Sequence, residues 1–340
     1  MVRIPKYNVS HFSLVLYAVG IYLLCYNIAM VKEEGKKFVI IDGNAIMHRA
    51  YHAMPHFEID GKLVNAIYGF ISILFSTIEK FSPEYLAVAF DVKGPTFRDK
   101  IFDKYKAKRV KPPEEFYEQI PEIWEFVRKM DIPLLIQEGY EADDVIGTIA
   151  NRVHRETKSL EVIILTGDQD TLQLVNDRIK VAMPKMGMIK ESVYDKSAVL
   201  GKFSLSPNQI IDFKALSGDH SDNIPGVKGI GEKTATALLL EFGSIEKTYQ
   251  CLFEDEVKFL EKFSPSVVKK LKQSQDLAKL SKELATIRTN LDLDFRLSQA
   301  KIRDFDKKKV EEFLQKYRFK SLLKRLPKSA RVNGQQEKLF

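Results

Sequence analysis

Three apolar runs that close on an aspartate, and a fourth that leads into a carboxylate cluster, constrain this chain more than any other feature. They are Phe38-Val-Ile-Ile-Asp42, Tyr85-Leu-Ala-Val-Ala-Phe-Asp91, Val162-Ile-Ile-Leu-Thr-Gly-Asp168 and Ile132-Pro-Leu-Leu-Ile-Gln137. Helical periodicity separates them, over 44–54 and over 64–80, where Ala66, Ile67, Phe70, Ile73, Leu74 and Ile78 mark one face. Alternating strand and helix predicts a parallel sheet covered on both faces. The C-terminal ends of such strands share one edge, and sites form there. One Asp after a strand is ordinarily a turn residue or a cap. Here Asp42, Asp91, Glu141 and Asp168 all lie at or just beyond such ends, so they converge on one acidic pocket.

The fourth run enters Glu138-Gly-Tyr-Glu141-Ala-Asp143-Asp144, followed by an apolar helical pattern of Val145, Ile146, Ile149, Ala150 and Val153. Taken alone, Asp143 reads as an N-cap and Asp144 as a first-turn charge. Carboxylates packed this closely raise one another's pKa unless a cation sits among them. Asp170 follows Asp168 by two positions, and Asp219 and Asp222 are spaced to share one side of a helical turn. The metal candidates are therefore Asp42, Asp91, Glu141, Asp143, Asp144, Asp168, Asp170, Asp219 and Asp222. Hard oxygens without His or Cys suit Mg²⁺ or Mn²⁺ rather than zinc. The set exceeds what one ion needs and suits two, in the arrangement used for in-line attack on phosphate esters. His48, His52 and His56 recur every four residues, but Pro55 breaks a helix there and no further ligand is local.

With 53 Lys and Arg against 46 Asp and Glu, the net charge of +7 is a mild pointer to a polyanion. The signs are segregated. Arg98 to Lys111 carries seven basic residues against Asp99 and Asp103, with Phe102 and Tyr105 interleaved. A solvated helix face is the ordinary reading. Directly after Asp91, the segment reads instead as a basic arch that holds a single-stranded end, with Arg98 and Lys104 among its DNA contacts. From Ser206 onward, helices and loops replace strands. Gly226-Val227-Lys228-Gly229-Ile230-Gly231 is not a P-loop, because Glu232 separates Gly231 from Lys233. It reads as a glycine hairpin between two helices, whose N–H groups hold a duplex phosphate while Lys228 and Lys233 add charge. Cys25 and Cys251 leave no disulfide framework or thiolate zinc site, so a reducing cytoplasm is expected.

Both ends stand apart. Phe12 to Val31 is an almost uncharged run long enough to span a membrane. It reads as an anchor, an uncleaved signal segment, or an over-extended gene start preceding a true start at Met30, the last being favoured. The final residues, Gln336-Glu-Lys-Leu339-Phe340, follow a polar linker.

The ordered stretches IIDGNAIMHRAYHA, TFRDKIFDKYKAKRVKPPEEF, EGYEADDVIGTIA, LTGDQDTLQLV and ALSGDHSDNIPGVKGIGEKTA closely resemble the 5′-nuclease domain of bacterial DNA polymerase I, in the flap endonuclease family. The resemblance implies a PIN-like α/β nuclease core with a mainly parallel twisted sheet, joined to an all-helical helix–hairpin–helix-type DNA-binding region. It implies metal-dependent cleavage of DNA at 5′ ends and flaps of nicked or forked duplexes, in primer removal and repair. It assigns Asp42, Asp91, Glu141, Asp143 and Asp144 to one metal cluster and Asp168, Asp170, Asp219 and Asp222 to the other. Tyr105, Lys106 and Arg109 match arch residues near the scissile phosphate, and hairpin 226–231 matches an element that binds K⁺ in relatives. The expected organisation is an extension over 1–36, a catalytic domain over 37–205 with the arch at 98–113, a helical region over 206–327, and a tail over 328–340. The chain stops where the polymerase would continue, which reads as a stand-alone nuclease or a fragment, and a separate DNA polymerase is an expected functional partner of the former. The peptide Gln336, Leu339 and Phe340 is similar to the Gln-x-x-Leu-Phe signal for a sliding clamp. A nucleoid-associated cytoplasmic protein is expected. The competing readings are a PIN-type ribonuclease, which needs no duplex hairpin, and a non-catalytic DNA- or clamp-binding scaffold, which would lack acids present here.

Overall fold

In the computed structural model, which describes residues 35–184 and 191–327, six strands build one sheet. In chain order the strands are β1 (Lys37–Asp42), β2 (Glu58–Ile59), β3 (Lys62–Leu63), β4 (Tyr85–Ala89), β5 (Leu134–Leu135), β6 (Glu161–Leu165), β7 (Ile179–Pro184) and β8 (Glu191–Tyr194). The sheet runs β5-β4-β1-β6-β7-β8, while β2 and β3 form a separate small hairpin. Every pairing from β5 to β7 is parallel, and β8 closes the edge antiparallel to β7.

The apolar runs become strands because both faces of the sheet need covering. In β1, Val39 and Ile41 belong to one hydrophobic cluster and Phe38 and Ile40 to another. Side chains alternate across a strand, so these are the two faces. Helix Asn65–Phe81 is apolar around most of its surface and packs in the first cluster, with Phe70, Ile71 and Leu74 almost wholly buried. Helix Ala142–Glu156 covers the second through Val145, Ile146, Ile149 and Val153. The run over 132–137 yields only the two-residue β5. Pro133 has no N–H to give, and it contributes its carbonyl to Val88 from the sheet edge instead. The strands β7 and β8 go beyond the sequence expectation.

The helices from Ile210–Ser217 to Gln275–Ala285 pack in a cluster of their own, around Leu216, Leu238, Leu252, Phe259 and Leu271. Beyond Ala285 the chain returns to the α/β layers: Phe295 stacks on Phe38 at 6.1 Å, and Val310, Phe313 and Leu322 enter the first cluster. Amphipathic helices look alike in sequence whichever core receives them. Among the described residues no helix is long and apolar enough to cross a membrane. Phe12 to Val31 and Gln336, Leu339 and Phe340 lie outside the described residues.

Candidate metal centre

The three central strands, β4, β1 and β6, place Asp91, Asp42 and Asp168 side by side at their C-terminal ends. The chain moves outward from β1 to β4 and β5, then returns to β6 on the other flank. Such a reversal opens a crevice beyond the strand ends. Here it is a cavity of about 1560 Å³ lined by Asp42, Asp91, Glu141, Asp143, Asp168, Asp170 and Asp219. Asp144 and Asp222 lie behind this lining.

The acids divide into two groups. Asp42 caps helix Gly43–Ala53 through Oδ1, which accepts from Ala45 N at 3.0 Å, while Oδ2 accepts from Thr166 Oγ1 at 2.6 Å. Burial, and the charges of Asp91 and Asp168, still push its pKa up to about 7. Burial, then Asp168 and Asp42, hold Asp143 well above the carboxylate range, and burial also raises Asp168. Asp143 Oδ1 is buried with no hydrogen-bond partner. Burial and mutual repulsion disfavour the charged forms of these three, offset only in part by Lys214, Lys106 and Arg109 near Asp168 and by Lys106 near Asp143, and a divalent cation among such hard oxygens would favour ionisation. Asp91 is fixed close by: its N–H donates to Asn44 Oδ1 at 2.9 Å, and its Oδ1 accepts from Ala142 N at 2.7 Å.

The second group is already paired with bases. Glu141, rather than Asp143, occupies the N-cap of helix Ala142–Glu156 and accepts from Lys106 Nζ at 2.6 Å. Lys214 Nζ donates to Asp170 and, at 2.6 Å, to Asp219 Oδ2. Burial would raise Asp219, but Lys214 outweighs it and draws the carboxyl down to about 2. Asp222 is buried and held low by Lys106 and Arg109. Asp144, expected as a metal ligand, is fully buried and gripped by Arg98 through 2.7 and 2.9 Å hydrogen bonds. Among the described residues, no three His, Cys, Asp or Glu side chains stand ready to hold one ion.

The basic arch needs one correction. Arg98, expected to contact DNA, is 2% exposed and donates to Asp144, Glu141 and the carbonyls of Leu284 and Thr286. It is a buried strut and cannot reach a phosphate. Tyr105 is buried too, its hydroxyl 3.2 Å from both Glu141 Oε2 and Asp222 Oδ2. Lys106 has a left-handed backbone at φ +52°, held by its N–H bond to the Asp222 carbonyl at 2.9 Å. Such strain in a non-glycine residue persists only where the surroundings enforce it. Lys106 and Arg109 face the cavity, whereas Lys104 is exposed outside it.

In the hairpin, Val227 and Ile230, both expected to contact DNA, are core residues with buried side chains. Gly226 is buried at φ +62°, donating its N–H to Ser281 Oγ at 2.9 Å. Lys228, Gly229, Gly231 and Lys233 are exposed around the start of helix Glu232–Phe242. Lys270 Nζ donates to the Gly229 carbonyl at 3.0 Å. Sequence reasoning missed Lys214, Thr166, Asn44 and Arg49, whose buried Nε lacks a partner and whose side chain lines the cavity. Only Lys214, five residues before Asp219, carried a local hint. His48 and His52 also line the cavity, their rings 4.4 Å apart.

A family model for the 5′–3′ exonuclease N-terminal resolvase-like domain matches residues 37–204, and one for the 5′–3′ exonuclease C-terminal SAM fold matches 205–308. The chain is 41% identical over 293 residues to a DNA polymerase I of Caldicellulosiruptor bescii, covering 85% of this chain and 33% of that protein. It thus spans about a third of its polymerase relatives. A 5′–3′ exonuclease of Aquifex aeolicus is 38% identical over 302 residues, covering 88% of this chain and 99% of that one. Among solved structures, T5 5′-exonuclease with bound divalent zinc has a TM-score of 0.60 at 22% identity, covering 74% of this chain and 89% of that one. The catalytic core of Rad2 with a DNA substrate has a TM-score of 0.55 at 17% identity, covering 87% and 93%. The last two likenesses concern the fold alone.

Proposed function

This chain belongs to the 5′–3′ exonuclease family, and on that premise we propose that it is a divalent-metal-dependent 5′–3′ exonuclease and flap endonuclease acting on DNA. The observation that carries the reading is the unpartnered, buried Asp143 Oδ1 among Asp42 and Asp168, at the meeting point of three strand ends.

Asp42, Asp91, Asp143 and Asp168 would hold one cation, with Glu141, Asp170, Asp219 and Asp222 available to a second. When bound, Mg²⁺ or Mn²⁺ supplies Lewis-acid activation for phosphodiester hydrolysis. The remaining work falls to the protein. Lys106, 24% exposed and kept charged by Glu141 and Asp222 against the opposing effect of burial, presents an ammonium to a phosphate entering the cavity. Arg109, 47% exposed, adds a second positive group. Tyr105 holds Glu141 and Asp222 together from beneath. Lys228, Lys233 and the free N–H groups at the start of helix Glu232–Phe242 fit the duplex backbone without reading bases.

The proposed setting is primer removal and repair in the cytoplasm. A clamp contact through Gln336, Leu339 and Phe340 rests on sequence alone, and deleting 336–340 should abolish capture by a bacterial clamp. The main test is cleavage of a labelled double-flap DNA with Mg²⁺, with Mn²⁺ and with EDTA. Metal-dependent cutting near the flap junction is expected. Cutting unaffected by EDTA, or retained in Asp42→Ala plus Asp143→Ala, would end the proposal.

A further inference from the structure

Lys214 lies on helix Ile210–Ser217, and its ammonium is shared between Asp170 and Asp219. The three side chains are only 14%, 14% and 16% exposed. Asp170 comes from the 3-10 helix Gln169–Leu174 after β6 and Asp219 from the loop after the Lys214 helix, so the lysine clamps two separate elements. The opposite wall differs. There Asp143 Oδ1 has no partner, and Asp42 and Asp168 have no ammonium or guanidinium within hydrogen-bond reach. Asp170 and Asp219 bond an ammonium directly, whereas Asp143 and Asp168 feel Lys106 and Lys214 only through space.

An ammonium and a divalent ion compete for the same carboxylate oxygens, because each neutralises their charge. Building on the nuclease reading above, we infer that Lys214 is an intramolecular competitor for the second divalent ion. Its ammonium keeps Asp170 and Asp219 closed until a nucleic-acid phosphate in the cavity draws it away. Lys214 itself lines that cavity, so a phosphate there is an available partner. The first ion then binds to the free protein, and the second binds together with substrate. Metal without DNA would leave the site half loaded.

The test is Mn²⁺ binding to the full chain without nucleic acid, followed by calorimetry and by the EPR signal of free Mn²⁺. Wild type, Lys214→Met and Lys214→Arg are compared. Wild type should show one tight and one weak site. Lys214→Met should tighten the weak site by roughly tenfold or more, the scale on which one adjacent charge shifts an ionic equilibrium. Lys214→Arg keeps the charge and should match wild type. If circular dichroism shows Lys214→Met unfolded, Lys214→Gln is titrated against the same criterion. Superimposable Mn²⁺ isotherms for the neutral variant and a wild type that cleaves flap DNA would overturn the competitor role and leave the nuclease reading intact. A wild type that binds no Mn²⁺ and cuts no flap would overturn both.

Discussion

Arg98 and Asp144 form a buried ion pair with two hydrogen bonds, at 2.7 and 2.9 Å, and both side chains are at most 3% exposed. Around it meet the base of the arch, the start of helix Ala142–Glu156, the carbonyls of Leu284 and Thr286, and the Arg288 N–H, which donates to Asp144 at 2.8 Å. Removing one partner strands a buried charge, which typically costs about 3–5 kcal/mol. Arg98→Met should therefore lower chemical-denaturation stability by about that amount, with Asp144→Asn somewhat milder. A direct DNA-contact role for Arg98 predicts the opposite pattern, with weaker duplex binding and unchanged stability. Urea unfolding beside duplex titration separates the two.

Asp42 gives a pH dependence whose sign is set by its raised pKa. Its ordinary value is 3.8 and its folded value is about 7, so the folded state binds the extra proton between them. Stability from this group is complete below about pH 4 and is lost as pH rises through about 7, each tenfold difference in proton affinity being worth ~1.4 kcal/mol. Metal-free protein in EDTA should lose melting temperature from pH 5 to pH 8 through this contribution. Mg²⁺ should raise the melting temperature more at pH 8 than at pH 5, and Asp42→Asn should flatten both trends. Equal Mg²⁺ stabilisation at the two pH values in wild type would contradict this.

Lys106 touches Glu141 at 2.6 Å and sits 3.8 Å from Asp222. If its ammonium answers charge developing on the phosphate, Lys106→Ala should reduce kcat by roughly 10²–10³, the scale for losing one preorganised electrostatic contact. KM should change far less. A large rise in KM with kcat preserved would reassign Lys106 to ground-state binding.

The hairpin separates fold from contact. At Gly226 an added Cβ would fall 2.3 Å from Gly218 N, on a backbone already at φ +62°. Gly226→Ala should destabilise the helical region measurably, by hydrogen exchange around Val227 and Ile230. Lys228→Ala and Lys233→Ala should leave stability alone. Each should reduce the salt dependence of duplex binding by about one counterion. Unchanged salt slopes in the double variant would move the duplex contact elsewhere.

The amino-acid sequence by itself determined the alternating α/β order, the strands ending in acids and the glycine turn, because periodicity and turn chemistry act over a few residues. It also determined that the acid set favours hard cations, since that depends only on residue type. Which acids stay unpaired was decided by tertiary structure. Arg98 finds Asp144 across 46 positions and Lys214 finds Asp170 across 44. No local pattern encodes such separations. In sequence Arg98 is one basic residue in a basic run, and only burial turns it from a phosphate contact into a strut. Val227 and Ile230 follow the same logic, since the packed helices direct them inward while Lys228 and Gly229 between them stay outside. The carboxylates converge because strand ends must share an edge. Whether each faces a cation, a lysine or nothing depends on how distant helices close over that edge.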